Sequence, residues 1–96
     1  MIAKKGSDPI GAAYVAFTWS LEHGGKCAWL EEMYVSPEWR EQGFGAALLN
    51  EVCERARSSG CSAIDLEVDK EHARAADLYQ RERFKPLARD RWVKRL

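Results

Sequence analysis

The sequence predicts one α/β domain in which helices pack on a single mixed β-sheet. Three observations support this prediction. Two runs with strand character stand close together, an apolar pattern with helical spacing follows a glycine-containing turn, and a further strand and helix come after it. A chain of 96 residues has room for one domain, so we expect residues 1–96 to form a single unit.

The first two elements are predicted to be strands. Residues 11–21 are rich in aromatic and β-branched side chains, and turn signals at positions 6–9 and 23–25 bracket them. A second strand is predicted over residues 27–35, closed by Ser36 and Pro37. The short connection between the two strands favours an antiparallel hairpin.

The apolar period changes to that of a helix from Phe44 onward. Leu48, Leu49 and Val52 follow helical spacing until Gly60 ends the pattern. Residues 63–68 alternate as a strand, and a second helix is predicted over about residues 71–83. Residues 84–96 are expected to supply one or two closing strands, with a bend at Pro86.

Composition and charge exclude several classes of protein. Lys and Arg number 15 and Asp and Glu number 15, a balance that argues against a nucleic-acid binder. No apolar run reaches the roughly 18–20 residues of a membrane span, and the first residues lack the apolar segment of a signal peptide. We therefore expect a soluble protein without a membrane or nucleic-acid partner.

The cysteines and histidines form no pattern typical of a metal site. The chain has three cysteines without C-x-x-C spacing and two histidines that complete no recognised ligand pattern with them: Cys27, Cys53, Cys61, His23 and His72. We expect three reduced thiols acting as small buried side chains, a cytoplasmic location and no metal.

A glycine-containing turn, Arg40-x-x-Gly43-x-Gly45, joins the second predicted strand to the first helix. Glycine permits a positive φ, and the unpaired N–H groups of a helix start suit an anion. The turn is not the dinucleotide fingerprint G-x-G-x-x-G, because the third glycine of that pattern would fall at Leu48. It is not a P-loop either, because no Gly-Lys-[Ser/Thr] follows. By itself, such a pattern more often marks an ordinary tight turn.

The surroundings of the turn carry a resemblance to a known family. Arg40, Gly43 and Gly45 match the motif [Gln/Arg]-x-x-Gly-x-[Gly/Ala] that binds acetyl-CoA in the GNAT superfamily of N-acetyltransferases. Residues 75–84, Ala-x-x-Leu-Tyr-x-x-x-x-Phe, resemble its second motif, with His72 where asparagine is usual and Arg83 where glycine is usual. The strand at 30–35 is most similar to the spermidine/spermine (diamine) branch. The resemblance covers residues 11–96 and implies a short GNAT-like acyl-CoA N-acyltransferase fold.

The resemblance implies acetyl-CoA as cosubstrate. Its pyrophosphate would lie on backbone N–H groups of the turn, supported by the Arg40 side chain, and its pantetheine arm would pair with the preceding strand like an added strand. His72 either replaces the asparagine that hydrogen-bonds the cofactor or is a surface residue. The cofactor-binding residues predicted in this way are Met33, Tyr34, Val35, Arg40, Glu41, Gln42, Gly43, Phe44, Gly45, Ala46 and His72.

The resemblance also assigns the catalytic residues. Tyr79 matches the family tyrosine that protonates the leaving thiolate, although an aromatic residue there also suits a core position. Glu31 matches the strand glutamate of the diamine branch, and its apolar neighbours would partly desolvate it and make it a stronger base. Glu32 and Glu67 are the other candidate bases, and each of the three is alternatively a solvated or salt-bridged strand residue.

These residues imply transfer of an acetyl group from acetyl-CoA to a primary amine of a small molecule or peptide, by direct attack. The alternative is a non-catalytic GNAT-like module that binds CoA or a partner protein. GNAT domains normally begin with a strand and two helices that this chain does not show. We therefore expect a homodimer that covers the apolar hairpin around Trp19 and Trp29 and supplies a wall of the acceptor site.

Overall fold

In the residues that the structure describes, the sheet has four strands in the order β1-β2-β3-β4, and two helices accompany it. The structure is a computed structural model that describes residues 2–5, 8–69 and 73–96. Strands β1 and β2 and strands β2 and β3 are antiparallel, whereas β3 and β4 are parallel. This arrangement confirms the predicted mixed sheet. The elements are β1 Ile2–Lys5, β2 Asp8–Ser20, β3 Gly25–Val35, a 3-10 turn Pro37–Trp39, α1 Phe44–Ser58, β4 Ile64–Leu66 and α2 Ala73–Arg81.

The hairpin β2–β3 and helix α1 follow the sequence closely, and α1 begins at Phe44 as its apolar spacing predicts. Strand β4 is shorter than predicted, and helix α2 ends at Arg81, before its predicted end near residue 83. The expectation of closing strands in residues 84–96 was wrong, because this segment contains no strand. Strand β4 offers it an edge of only three residues, and the segment contacts the rest of the chain through its arginine side chains instead.

A β-bulge interrupts the pairing of β2 with β3. Tyr14 lies opposite Glu32 and Val15 lies opposite Leu30, so Glu31 is an extra residue without a cross-strand partner. Pairing of β3 with β4 stops at the same point, since Leu30 opposite Leu66 is its last pair. Beyond the bulge, the remaining length of β3 extends past the end of β4.

The core lies between α1 and one face of the sheet. Its buried side chains are Ala13, Leu30, Leu48, Leu49 and Val52, with α2 packed against their margin through Leu78 and Tyr79. The opposite face and the hairpin tip remain open, with Tyr14 69% exposed and Trp19 80% exposed. The radius of gyration is 14.3 Å, against about 12.5 Å expected for a compact domain of this length.

Both helices end in the same backbone motif, in which a left-handed residue turns the chain back on the helix. After α1 this residue is Gly60, with φ 88°, and after α2 it is Arg83, with φ 71°. In α2 the N–H of Phe84 donates to the carbonyl of Tyr79, and the N–H of Arg83 donates to Gln80. These are the two bonds of a Schellman motif. Arg83 therefore holds a conformation that favours glycine, the residue usual at this position in the resembling family.

Candidate functional site

Helix α1 begins without a capping side chain. Its N-cap is Gly43, which has φ 82° and makes no side-chain hydrogen bond, and the first turn contains no acidic residue. The N–H groups at the start of an α-helix have no partner within the helix and carry the positive end of its dipole. The start of α1 is therefore suited to an anionic group with several oxygen atoms.

The two glycines of the turn have different structural roles. A Cβ atom at Gly43 would meet nothing within 4 Å, so this position requires glycine for its left-handed backbone and not for space. A Cβ atom at Gly45 would lie 3.6 Å from Cδ2 of Leu78, an ordinary packing distance. The conformation of the turn therefore depends on Gly43, and Gly45 has room for an alanine.

Arg40 links the turn to the end of β3 by a hydrogen bond. Its Nε donates a hydrogen bond of 2.8 Å to the carbonyl oxygen of Val35, and its guanidinium lies 5.4 Å from the ring centroid of Tyr34. The side chain is exposed. These contacts give Arg40 a structural role that the sequence did not reveal, and its expected contact with the pyrophosphate stays a prediction.

Two further contacts hold the turn in place. Nε2 of Gln42 donates a hydrogen bond of 2.9 Å to the carbonyl of Glu38, and Arg74 of α2 pairs with Glu41 at 2.6 Å. Glu41 has a positive φ of 60°, which a side chain other than glycine adopts only when its surroundings hold it there. The turn is shaped by the protein before any ligand arrives.

The residues predicted to receive the pantetheine arm lie on β3 beyond the bulge. Met33 is half-buried and Tyr34 is 48% exposed. Their strand pairs with β2 on one side, and no strand of the described chain pairs with them on the other. This leaves one backbone edge of β3 open beside the end of β4, although the carbonyl of Val35 is already bonded by Arg40.

Tyr79 is half-buried on α2 and packs edge-on against Phe84, with ring centroids 5.7 Å apart. Burial raises the pKa of the Tyr79 phenol above its ordinary value of 10.0. Desolvation favours the neutral, protonated form, which is the form that can donate a proton. The contact with Phe84 follows from the Schellman motif, which commonly joins these two positions by an apolar contact.

A cavity of about 870 Å³ brings together Tyr79, Glu67, Trp29 and the segment that follows α2. Glu67 pairs with Arg91 at its margin. Glu31 and Glu32 are both exposed and do not line the cavity, so the partial burial expected of Glu31 is not seen. His72 lies outside the described residues.

The cysteines are free thiols. Cys27 is 1% exposed, and burial, followed by the nearby carboxylate of Asp65, raises the pKa of its thiol. Burial likewise raises the pKa of Cys53. In the part of the chain that the structure describes, no three or more His, Cys, Asp and Glu side chains are grouped so that they could hold a metal ion. Neither described helix has the length and hydropathy needed to span a membrane.

Three contacts around the cavity could not be anticipated from the sequence. His23 Nε2 pairs with Asp65 at 2.9 Å, Arg89 pairs with Glu22, and Arg91 lies over the Trp29 ring. The one sequence feature that pointed to such contacts was the excess of basic residues near the C-terminus, where residues 81–96 contain seven basic and two acidic side chains. Their partners depend on the parallel register of β3 and β4, which sequence spacing does not determine.

Strand β3, the glycine turn and helix α1 are followed by β4, which pairs with β3 in parallel, and this order matches the fold expected of a GNAT acetyltransferase. The model of the acetyltransferase (GNAT) family matches residues 1–83, and the chain belongs to this family.

Relatives with curated names and solved structures agree with this assignment. Thialysine N-epsilon-acetyltransferase of Bos taurus is 39% identical over 71 residues, which are 73% of this chain and 39% of that protein. Glucosamine 6-phosphate N-acetyltransferase of Trypanosoma brucei brucei is 32% identical over 59 residues, which are 60% of this chain and 40% of that protein. The chain thus spans about two fifths of the length of these two relatives.

Two solved structures show the same fold. A transcriptional regulator from Bacillus halodurans C-125 has a TM-score of 0.84 at 31% identity, covering 99% of this chain and 63% of its own. An aminoglycoside N-acetyltransferase in complex with CoA has a TM-score of 0.85 at 20% identity, covering 99% of this chain and 73% of its own. The second likeness concerns the fold alone.

Proposed function

We propose that the protein transfers an acetyl group from acetyl-CoA to a primary amine. The observation that carries this proposal is the uncapped start of α1 at Gly43, next to the open edge of β3. The start of the helix suits the pyrophosphate of CoA, because its free N–H groups bind anions. The unpaired strand edge suits the amide-bearing arm of CoA, which can pair with it like an added strand. Residues 42–46 would bind the pyrophosphate through backbone N–H groups, and residues 33–35 would pair with the arm.

The chemistry proposed is direct attack. The nitrogen of the neutral amine attacks the thioester carbonyl carbon, the new C–N bond forms as the C–S bond breaks, and the thiolate of CoA leaves. Tyr79 gives its phenolic proton to that thiolate, and the attacking nitrogen, which must lose one proton to become the neutral amide, returns a proton to the Tyr79 phenolate. Burial keeps the Tyr79 phenol protonated until the thiolate forms. None of the three cysteines is needed as an acetyl carrier.

We infer that Glu31 removes the proton of the incoming ammonium, directly or through water. Its place in the bulge leaves it without a cross-strand partner, and none of the described side chains forms an ion pair with it. Glu67, the one candidate base that lines the cavity, pairs with Arg91 and would first have to release it. Glu32 lies opposite Tyr14 in regular pairing.

The test is the release of free thiol from acetyl-CoA in the presence of a panel of primary amines. Release that depends on the amine, accompanied by an acetylated product in mass spectrometry, is the expected result. CoA binding measured by calorimetry without any thiol release would reject the enzyme in favour of a non-catalytic CoA-binding module. Loss of both binding and release would reject the proposed site as a whole.

We also infer that two copies associate through the hairpin of β2 and β3 and that the protein is cytoplasmic. Tyr14 on the open face of the sheet and Phe17 and Trp19 near the hairpin tip are 69%, 52% and 80% exposed, and aromatic surface of this extent favours burial. Three free thiols suit a reducing compartment. Light scattering at micromolar concentration tests the dimer, since a mass near the 10.9 kDa of one chain would reject it.

A further inference from the structure

The segment that follows α2 is held against the sheet by two arginine side chains. Arg89 pairs with Glu22 at 2.5 Å, and Arg91 pairs with Glu67. The guanidinium of Arg91 also lies 5.9 Å from the centroid of the Trp29 ring. One cation thus meets both an aromatic ring and a carboxylate.

Of the two groups that receive this cation, the ring is positioned by the sheet and the carboxylate lies just beyond it. Trp29 is half-buried on β3 opposite Asp65 of β4, and Glu67 follows directly after the end of β4. Arg91 belongs to a segment without regular structure and is 72% exposed. The ring is therefore held by the sheet, the carboxylate lies next to the end of β4, and the cation is on the more exposed side of the contact.

We propose that Trp29 and Glu67 form a binding site for an organic cation, an ammonium or guanidinium group, which Arg91 occupies when no such ligand is bound. The face of a tryptophan ring attracts a cation through its quadrupole, and a carboxylate beside it adds charge and a hydrogen-bond acceptor. Arg91 satisfies both groups in the way the ligand would, and it acts as an internal competitor.

The cavity of about 870 Å³ beside this site is large enough for an extended amine, and Tyr79 lines the same cavity. A ligand with two positive charges would place one on Trp29 and Glu67 and direct the other toward Tyr79. The role of this site in placing a substrate near Tyr79 rests on the proposed acetyl transfer. The binding of a cation to Trp29 and Glu67 does not depend on that proposal.

The exchange of Arg91 for a ligand sets the expected affinities. A ligand can bind only to the fraction of molecules in which Arg91 has left the site, so its affinity for the wild-type protein is lowered by that fraction, and an open fraction of about one tenth corresponds to a tenfold loss. Removing its charge with Arg91→Gln should tighten the binding of such cations by about tenfold or more. Arg89→Gln removes the same charge from the same segment without uncovering the ring, and we expect it to change the affinity by less than about threefold.

The experiment is a titration of the Trp29 indole N–H resonance with n-butylammonium and methylguanidinium chloride at constant chloride concentration, with n-butanol as the uncharged control. We expect a saturable shift in Arg91→Gln, a much weaker one in wild type and Arg89→Gln, and none in the double variant Arg91→Gln with Glu67→Gln. Amide spectra of each variant verify the fold. Equal affinities in wild type and Arg91→Gln, equal shifts with n-butanol, or undiminished binding in the double variant would overturn the proposal.

The same variants separate this proposal from the proposed enzyme activity. Saturable cation binding without thiol release from acetyl-CoA supports the cation site and rejects acetyl transfer. Amine-dependent thiol release without a saturable shift at Trp29 supports acetyl transfer and rejects the cation site.

Discussion

Replacing Gly43 with asparagine and with aspartate tests the anion site at the start of α1. Both side chains have nearly the same size, and a Cβ atom there meets nothing within 4 Å, so neither collides with the protein. Both must adopt φ near 82°, which costs a residue other than glycine about 1–2 kcal/mol and costs Asn and Asp the least. The strain therefore cancels when the two variants are compared with each other.

The remaining difference between the two variants is one negative charge. At about 5 Å from a phosphate charge, it costs roughly 0.8 kcal/mol with the dielectric of water and about 3 kcal/mol with the effective value near a protein surface. Each 1.4 kcal/mol is a factor of ten in affinity, and a pyrophosphate carries two charges. We therefore expect Gly43→Asp to bind CoA at least about tenfold more weakly than Gly43→Asn.

Calorimetric titration with CoA at low and at high salt measures this difference. Because exposed charges are screened by salt, the gap between the two variants should narrow as the ionic strength rises. Thermal unfolding of both variants verifies that they are folded to the same extent. Equal CoA affinities for Gly43→Asn and Gly43→Asp in folded protein would refute the assignment of the pyrophosphate to this turn.

Two further predictions concern α2 and its end. Tyr79→Phe keeps the ring against Phe84 and removes the acid, so turnover should fall by about 10² or more while CoA affinity in calorimetry stays near that of wild type. Because burial raises the pKa of Tyr79 above 10.0, the folded state loses stability as the pH rises through that raised value. Denaturant titrations from pH 9 to 11.5 should show this loss of stability in wild type and a smaller loss in Tyr79→Phe. If the turnover of Tyr79→Phe is unchanged, Tyr79 is a core residue only. Arg83→Gly relieves the φ of 71° and should raise the free energy of unfolding by about 0.5–1 kcal/mol, and a lower stability would contradict the strain assigned to Arg83.

The hairpin, α1 and the glycine turn could be predicted because their patterns are local. The apolar spacing of Leu48, Leu49 and Val52 determines the buried face of α1, and all three are buried. The position of Tyr79 on the apolar side of α2 follows from the same kind of spacing. These elements required no knowledge of what lies beside them in the sheet.

The features that were missed depend on contacts between distant parts of the chain. A bulge at Glu31 is visible only in the register of two strands, and alternation alone cannot show it. Arg89 pairs with Glu22 across 67 positions of sequence, and Arg91 pairs with Glu67 across 24 positions. Closing strands were predicted in residues 84–96, but a strand forms only where an edge of sufficient length is available to pair with it.

The bulge at Glu31 itself leads to a last prediction, because the structure separates its backbone role from its side chain. Deleting Glu31 leaves every pair of β2 with β3 intact, since Leu30 still faces Val15 and Glu32 still faces Tyr14. It removes only the extra residue that bends β3 where its pairing with β4 ends. We therefore expect the deletion variant to fold with nearly unchanged stability, to extend the pairing of β3 with β4 past Leu66, and to lose CoA affinity. Glu31→Gln keeps the bulge and removes the carboxylate, so it should keep CoA affinity and lose turnover. Hydrogen exchange reports the extended pairing as slower exchange at residues 67 and 68, and calorimetry reports the affinity. A deletion variant that binds CoA like wild type would show that the open edge of β3 is not what receives the cofactor.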